Sequence, residues 1–270
     1  MSLIIFSHGN SFPAATYGVL FRNLRSRGFV VKALDKFGHD PNFPVTNNWP
    51  HLQAQLSDFV QREVEKAGEA AFLVGHSLGG FLSLMSAARH PELARGVLLL
   101  DSPLLGGWKA TALGAMKRTP LVGSLSPGAV SRRRRNSWPS REDALEHLRH
   151  KKVFAKWDEQ VLGDYVTHCT HDVDGQRVLS FDRDIETAIY NTLPDNLDRL
   201  LKRHPLKCPV AFIGGRQSLE MKQVGLAMTQ AVTRGRIMMI DGSHLFPMEK
   251  PLATAAAIEA ALRGYDFLPA

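Results

Sequence analysis

Gly75-His76-Ser77-Leu78-Gly79-Gly80 follows the apolar run Ala70-Ala71-Phe72-Leu73-Val74 and precedes a second one, Phe81-Leu82-Ser83-Leu84-Met85 with Ala87 and Ala88, that ends near His90-Pro91. The first run has the length of a buried strand and the second that of a helix. Ser77 therefore falls on a strand-to-helix turn, which strains its backbone and turns its hydroxyl outward, while Gly75 and Gly79 let neighbouring backbone come close. Amides at the start of the helix, led by Leu78, can face a developing oxyanion. The competing reading is a tight turn of structural purpose only; a strand and a helix on the correct sides favour a nucleophile.

Two further segments place polar chemistry just past a strand. Leu3-Ile4-Ile5-Phe6 runs into Ser7-His8-Gly9-Asn10, and Ile237 to Ile240 runs into Asp241-Gly242-Ser243-His244-Leu245-Phe246-Pro247. In an open parallel sheet, ligands bind beyond the carboxyl ends of the strands, so Asn10, Ser77 and His244 can meet there. A serine hydroxyl is a poor nucleophile at neutral pH and needs a base. An imidazole, with an ordinary pKa near 6.5, can take the proton and return it to the leaving group. His244 is the candidate base; otherwise it simply caps a turn. The amides of Asn10 and Leu78 are the candidate oxyanion donors.

On these residues, and on Leu34-Asp35-Lys36-Phe37-Gly38-His39 after the next strand, the chain resembles the α/β-hydrolase superfamily of lidded serine hydrolases and esterases over nearly its whole length. In most of that family an acidic residue follows the penultimate strand, here Pro209-Val210-Ala211-Phe212-Ile213. The loop after it reads Gly214-Gly215-Arg216-Gln217-Ser218-Leu219-Glu220, with Ser218 where the resemblance implies aspartate. A minority of the family carries the acid at the end of the strand after the elbow helix, and here Val97-Leu98-Leu99-Leu100 ends at Asp101-Ser102-Pro103. Asp101 is the expected acid, orienting His244 without itself taking the proton. Glu220 is the alternative acid. Asp101 as a loop-capping aspartate is the bland reading.

Strand and helix patterns alternate along the rest of the chain. Tyr17 to Arg27 reads as a helix, Phe29 to Leu34 as a strand, and Leu52, Leu56, Phe59, Val60 and Val64 share one helical face. Gln223 to Val232 and Leu252 to Leu262 read as helices flanking Ile237 to Ile240. The expected fold is α/β: a mostly parallel central sheet of about six strands flanked by helices, without the antiparallel N-terminal hairpin of many relatives. The expected division is a core of 1–103 and 206–270 and a helical lid of 104–205, because the βα rhythm stops for about a hundred residues there. Within it, Thr111 to Lys117, Arg141 to Arg149, Glu159 to His168 and Arg183 to Tyr190 read as helices. Trp108 and Trp138 in this layer, with Phe12 and His76 near the elbow, are candidate substrate-pocket residues. The plainer reading of the lid aromatics, Phe154, Trp157 and Tyr165 included, is packing onto the core.

The 270 residues are 44% hydrophobic with a net charge of +7, enough for one α/β domain with an insertion. Arg132-Arg133-Arg134-Arg135 reads as a solvated face or as a lure for an anionic substrate. Nucleic acid is not expected, since no binding motif accompanies the charge. Cys169 and Cys208 do not suggest a disulfide framework, there is no signal-peptide pattern after Met1, and no apolar run reaches the roughly 20 residues of a membrane span. A cytoplasmic location follows as the default. No cofactor is expected, and no metal: His168, His171 and Asp172 offer no clear tetrahedral set. The reading is a serine hydrolase cleaving a carboxylic ester or related small-molecule acyl substrate through an acyl-enzyme. A cofactor-free C–C bond hydrolase, an acyltransferase and a non-catalytic small-molecule receptor remain open on the same fold.

Overall fold

The computed structural model describes residues 2–117 and 131–265. β1 (Leu3–Ser7) leads through a short 3-10 turn into α1 (Gly18–Ser26), β2 (Val30–Ala33), α2 (Pro50–Ala67), β3 (Ala71–His76), α3 (Leu78–Arg89) and β4 (Ala94–Leu100). The chain then leaves the sheet through α4 (Gly107–Met116), β5 (Ser137–Trp138), α5 (Arg141–Arg149), α6 (Glu159–His168), β6 (Thr170–Val173), β7 (Gln176–Leu179), α7 (Arg183–Asn191) and α8 (Leu197–Arg203). It returns as β8 (Val210–Gly215), α9 (Leu219–Val224), α10 (Ala227–Thr233), β9 (Ile237–Ile240), α11 (Phe246–Glu249) and α12 (Pro251–Tyr265).

Six strands form one parallel sheet in the order β2-β1-β3-β4-β8-β9. Side chains alternate across a strand, and both faces here are covered by helices, so the central strands are apolar throughout. Ile4, Phe6, Phe72, Val74, Leu98 and Leu100 pack on one side with α1 and α12. Leu3, Ile5, Leu73, Val97, Leu99 and Phe212 pack on the other with α2 and α3. The order reverses at β1, which pairs with both β2 and β3. The carboxyl ends of β1 and β3 therefore open the crevice in which such sheets hold ligands.

The segment expected to be a helical lid also contains a small antiparallel sheet, in the order β5-β7-β6. Asp174 and Gly175 join β6 to β7 with φ of 48° and 75°, the two left-handed residues of a type I′ hairpin. The helix expected over Gln223 to Val232 is two helices, α9 and α10, separated at Gly225, whose φ of 80° an uninterrupted helix does not permit. Among the described residues, no helix is long and apolar enough to cross a membrane.

Candidate active site

Ser77 occupies the turn between β3 and α3 with φ 52° and ψ −117°, a conformation that costs a non-glycine residue on the order of 1–3 kcal/mol. The turn closes only because its neighbours lack side chains. A Cβ on Gly79 would overlap the Ser7 carbonyl, and one on Gly75 would overlap the Gly79 backbone. The Ser77 amide donates to the Leu100 carbonyl at 3.0 Å, which ties the elbow to the end of β4.

The next residue past β4 is Asp101, also at positive φ (42°), whose amide donates to the Ile213 carbonyl at 2.8 Å. Its side chain is fully buried and aimed at the histidine loop. His244 Nδ1 lies 2.7 Å from Asp101 Oδ2, and His244 Nε2 lies 3.0 Å from Ser77 Oγ. A carboxylate at Nδ1 places the proton there and leaves Nε2 as the acceptor for the serine hydroxyl. Asp101 also accepts from the Gly215 amide at 2.7 Å and from the Ser218 hydroxyl at 2.6 Å. Glu220 Oε2 stands farther off, 3.9 Å from His244 Nδ1, and is about half exposed.

Burial works against a charge on either partner, and the contacts between them outweigh it. For His244 the desolvation that would lower the pKa is overcome by the hydrogen bond to Asp101 and the charges of Glu220 and Asp101, leaving it above 6.5. For Asp101 burial pushes upward, but the His244 contact and the Ser218 and Gly215 donors bring the carboxyl below its ordinary value. The arrangement favours an imidazolium beside a carboxylate, the pair that forms once a serine has given up its proton.

A cavity of 430 Å³ opens over Ser77. Phe12, Tyr190, Leu219 and Leu245 supply apolar wall, Lys152 and Lys156 stand in the lining from the inserted segment, and Gly9 and Asn10 form the edge nearest β1. Asn10 is held by its side-chain amide, which donates to the Glu186 carbonyl at 3.1 Å. Leu78 is the first residue of α3, where helix amides have no intrahelical acceptor. His76 borders the cavity, yet its ring is buried and both nitrogens are engaged by protein groups. Trp138 does not reach the cavity: it is buried in the small sheet against His147 and Arg135. Trp108 lies on α4, and its side chain is outside the described residues.

The arginine run is divided. Arg132, Arg133 and Arg135 are exposed, whereas Arg134 turns inward to pair with the buried Glu186 at 2.9 Å. Burial raises the Glu186 carboxyl above its ordinary pKa, with Arg134 opposing. Metal-ligand side chains gather only weakly among the described residues. Asp101, Glu220 and His244 bring oxygen and nitrogen atoms within 4.8 Å of one another, but Nδ1 is already committed to Asp101. Missed in the sequence were Ser218 as a donor to Asp101 and Tyr17 as a partner of His76; the anomalous serine in the loop after β8 was the available signal for the first.

A sequence profile of the Alpha/beta hydrolase family matches residues 4–257. The chain belongs to the alpha/beta hydrolase family. This alpha/beta hydrolase is 28% identical over 172 residues to a monoglyceride lipase homolog of Monkeypox virus, a match spanning 60% of the chain and 62% of that protein. It is 30% identical over 108 residues to the monoglyceride lipase of Homo sapiens, spanning 38% of the chain and 35% of that enzyme. The matched stretch thus covers less than two thirds of either relative. In three dimensions the alpha/beta hydrolase resembles the crystal structure of E-2-(acetamidomethylene)succinate hydrolase, with TM-score 0.72, 22% identity, and coverage of 97% of this chain and 91% of that one.

Proposed function

We propose that the protein is a serine hydrolase that cleaves a carboxylic ester, or a related acyl compound, through an acyl-enzyme. The observation that carries this reading is the unbroken line from Ser77 Oγ to His244 Nε2 at 3.0 Å and from His244 Nδ1 to Asp101 at 2.7 Å. Ser77 Oγ attacks the acyl carbon as His244 Nε2 takes its proton. The oxyanion faces the amides of Asn10 and Leu78, each such donor being worth about 2.7–4 kcal/mol of transition-state stabilisation. His244 then protonates the departing alkoxide, and water repeats the sequence on the acyl-enzyme. Asp101 holds the ring and stabilises the imidazolium.

An ester with an apolar acyl part suits the walls formed by Phe12, Leu219 and Leu245. The relatives named as monoglyceride lipases support an ester among the acyl compounds. The segment 104–205 serves as a lid, since Lys152, Val153, Lys156 and Tyr190 from it border the cavity.

The test is labelling of purified protein with a fluorophosphonate probe, comparing wild type with Ser77→Ala, followed by aryl esters of increasing chain length. Labelling lost in Ser77→Ala, with turnover of at least one ester, supports the assignment. A folded wild-type protein that neither labels nor turns over would move the reading to a ligand receptor.

A further inference from the structure

His76, the residue before the nucleophile, sits in a hydrogen-bonded chain whose direction is fixed at both ends. The Gly9 amide can only donate, and it does so to the Tyr17 hydroxyl at 3.0 Å. The single Tyr17 proton is then available to His76 Nδ1, 2.7 Å away. At the other end the His244 carbonyl can only accept, so His76 Nε2, 2.9 Å from it, carries the hydrogen. Both ends require one tautomer, with Nδ1 accepting and Nε2 donating.

We infer that His76 and Tyr17 are positioning residues that clamp the oxyanion loop at Gly9 and the histidine loop at His244 onto the nucleophile elbow, which sets their spacing for catalysis. The inference rests on the hydrolase reading above. β1 and β3 are already paired up to Ser7 and Gly75; the chain adds a side-chain link from Gly9 after β1, through His76 at the end of β3, to His244 after β9. Gly9 adjoins Asn10, whose amide is assigned to the oxyanion, and His76 adjoins Ser77. A shift at either link moves a reacting group.

The surroundings are built for this task. Tyr17 and His76 are both buried. Phe6 packs on the Tyr17 ring at 4.7 Å between centroids, and Phe21 lies on it at 6.1 Å. Gly9 has no Cβ; one placed there would stand 2.9 Å from His76 Nδ1 and 3.2 Å from the Tyr17 hydroxyl, wedging the loop off the ring. Burial, and then the neighbouring His244, hold His76 down to about 3, so it stays neutral. Its centroid is 5.1 Å from that of His244, close enough that a second positive ring would oppose the imidazolium formed during acyl transfer.

The experiment compares wild type, Tyr17→Phe, His76→Phe and the double variant in kcat, KM, thermal midpoint and affinity for an arylboronic acid, a mimic of the tetrahedral intermediate. Misplacement of reacting groups by about 1 Å can cost roughly 100-fold, so kcat is expected to fall roughly 10- to 100-fold with KM within about threefold. Boronate affinity should fall in step with kcat, and the double variant should be no worse than the poorer single one, because both break one chain. Tyr17→Phe removes a single oxygen and decides the matter if His76→Phe does not fold. A Tyr17→Phe enzyme with kcat within twofold of wild type overturns the inference, as does a loss confined to KM. Wild-type protein that labels with fluorophosphonate while the variants match it overturns this inference alone; wild type that neither labels nor turns over overturns the hydrolase reading as well.

Discussion

Ser218 Oγ donates at 2.6 Å to Asp101 Oδ2, the same oxygen that lies 2.7 Å from His244 Nδ1. The loop after β8, where most of the family carries its acid, thus still delivers a polar atom to the histidine's partner. It does so as a hydroxyl that supports a carboxylate presented from β4. Ser218 also caps α9 by accepting from the Met221 amide at 3.1 Å, so its position is fixed from both sides.

Replacing the acid separates the two carboxylates. Asp101→Asn should lower kcat/KM by roughly 10⁴-fold, the scale seen when a triad acid is lost with its geometry kept. Glu220→Gln, at 3.9 Å and half exposed, should cost less than about fivefold. Steady-state kinetics on one aryl ester decides between them, and the opposite ranking would make Glu220 the triad acid.

Activity should fall on the acid side with a midpoint above 6.5. Turnover needs neutral His244, and the net effect of burial, the Asp101 bond and the Glu220 charge is to raise its pKa. Glu220→Gln removes one raising influence, so the acid limb should move to lower pH. A kcat/KM profile recorded from pH 5 to 9 checks both statements, and an unmoved limb would remove Glu220 from the site's electrostatics.

Gly79→Ala should destabilise the fold by about 3 kcal/mol or more, because its Cβ has nowhere to go but into the Ser7 backbone. Urea denaturation of the variant beside wild type is the measurement. Near-wild-type stability would show that β1 can retreat from the elbow, which the close approach described above does not allow.

Stability should also decline as pH drops below about 6.5. Burial holds His8 down to about 4 and His76 to about 3, so the unfolded chain takes up protons that the folded one refuses. Each unopposed histidine contributes about 1.4 kcal/mol per pH unit between its ordinary pKa and the folded value. His244, raised in the folded state, contributes stability that is already complete below about pH 6.5 and is lost only as the pH rises above it, so it leaves the slope in this window to the other histidines. Urea midpoints measured between pH 7 and 5, above most carboxylate titration, test this; a flat or rising curve toward pH 5 would contradict it.

The parallel sheet was legible because its strands are buried on both faces and read as apolar runs such as Leu3 to Phe6 and Val97 to Leu100. The elbow was legible for a different reason: glycines are required where backbone meets backbone, as at 75 and 79, or where a side chain presses close, as Ser102 does on Gly80. Asp101 could be singled out because Ser218 left a vacancy in the expected loop. The small sheet was not legible, since Val173 is exposed, β6 is otherwise mostly solvated, and its one strong signal is the two-residue Asp174-Gly175 turn. Trp138 looked like pocket wall only because aromatic side chains do not disclose which layer they fill. The Tyr17–His76 link spans 59 residues and depends on two loops meeting, which no local pattern records.

With Asp101 at the end of β4 as the proposed acid, the loop after β8 is released from the duty it has in most of the family. Gln217, Leu219 and Glu220 of that loop all face the cavity, with Gln217 bonded to Lys156 at 2.8 Å. Under that proposed assignment, the stretch can diversify toward whatever substrate the cavity takes. Ser218 is the fixed post within it, so selectivity can drift on both sides of that residue while the chemistry stays in register.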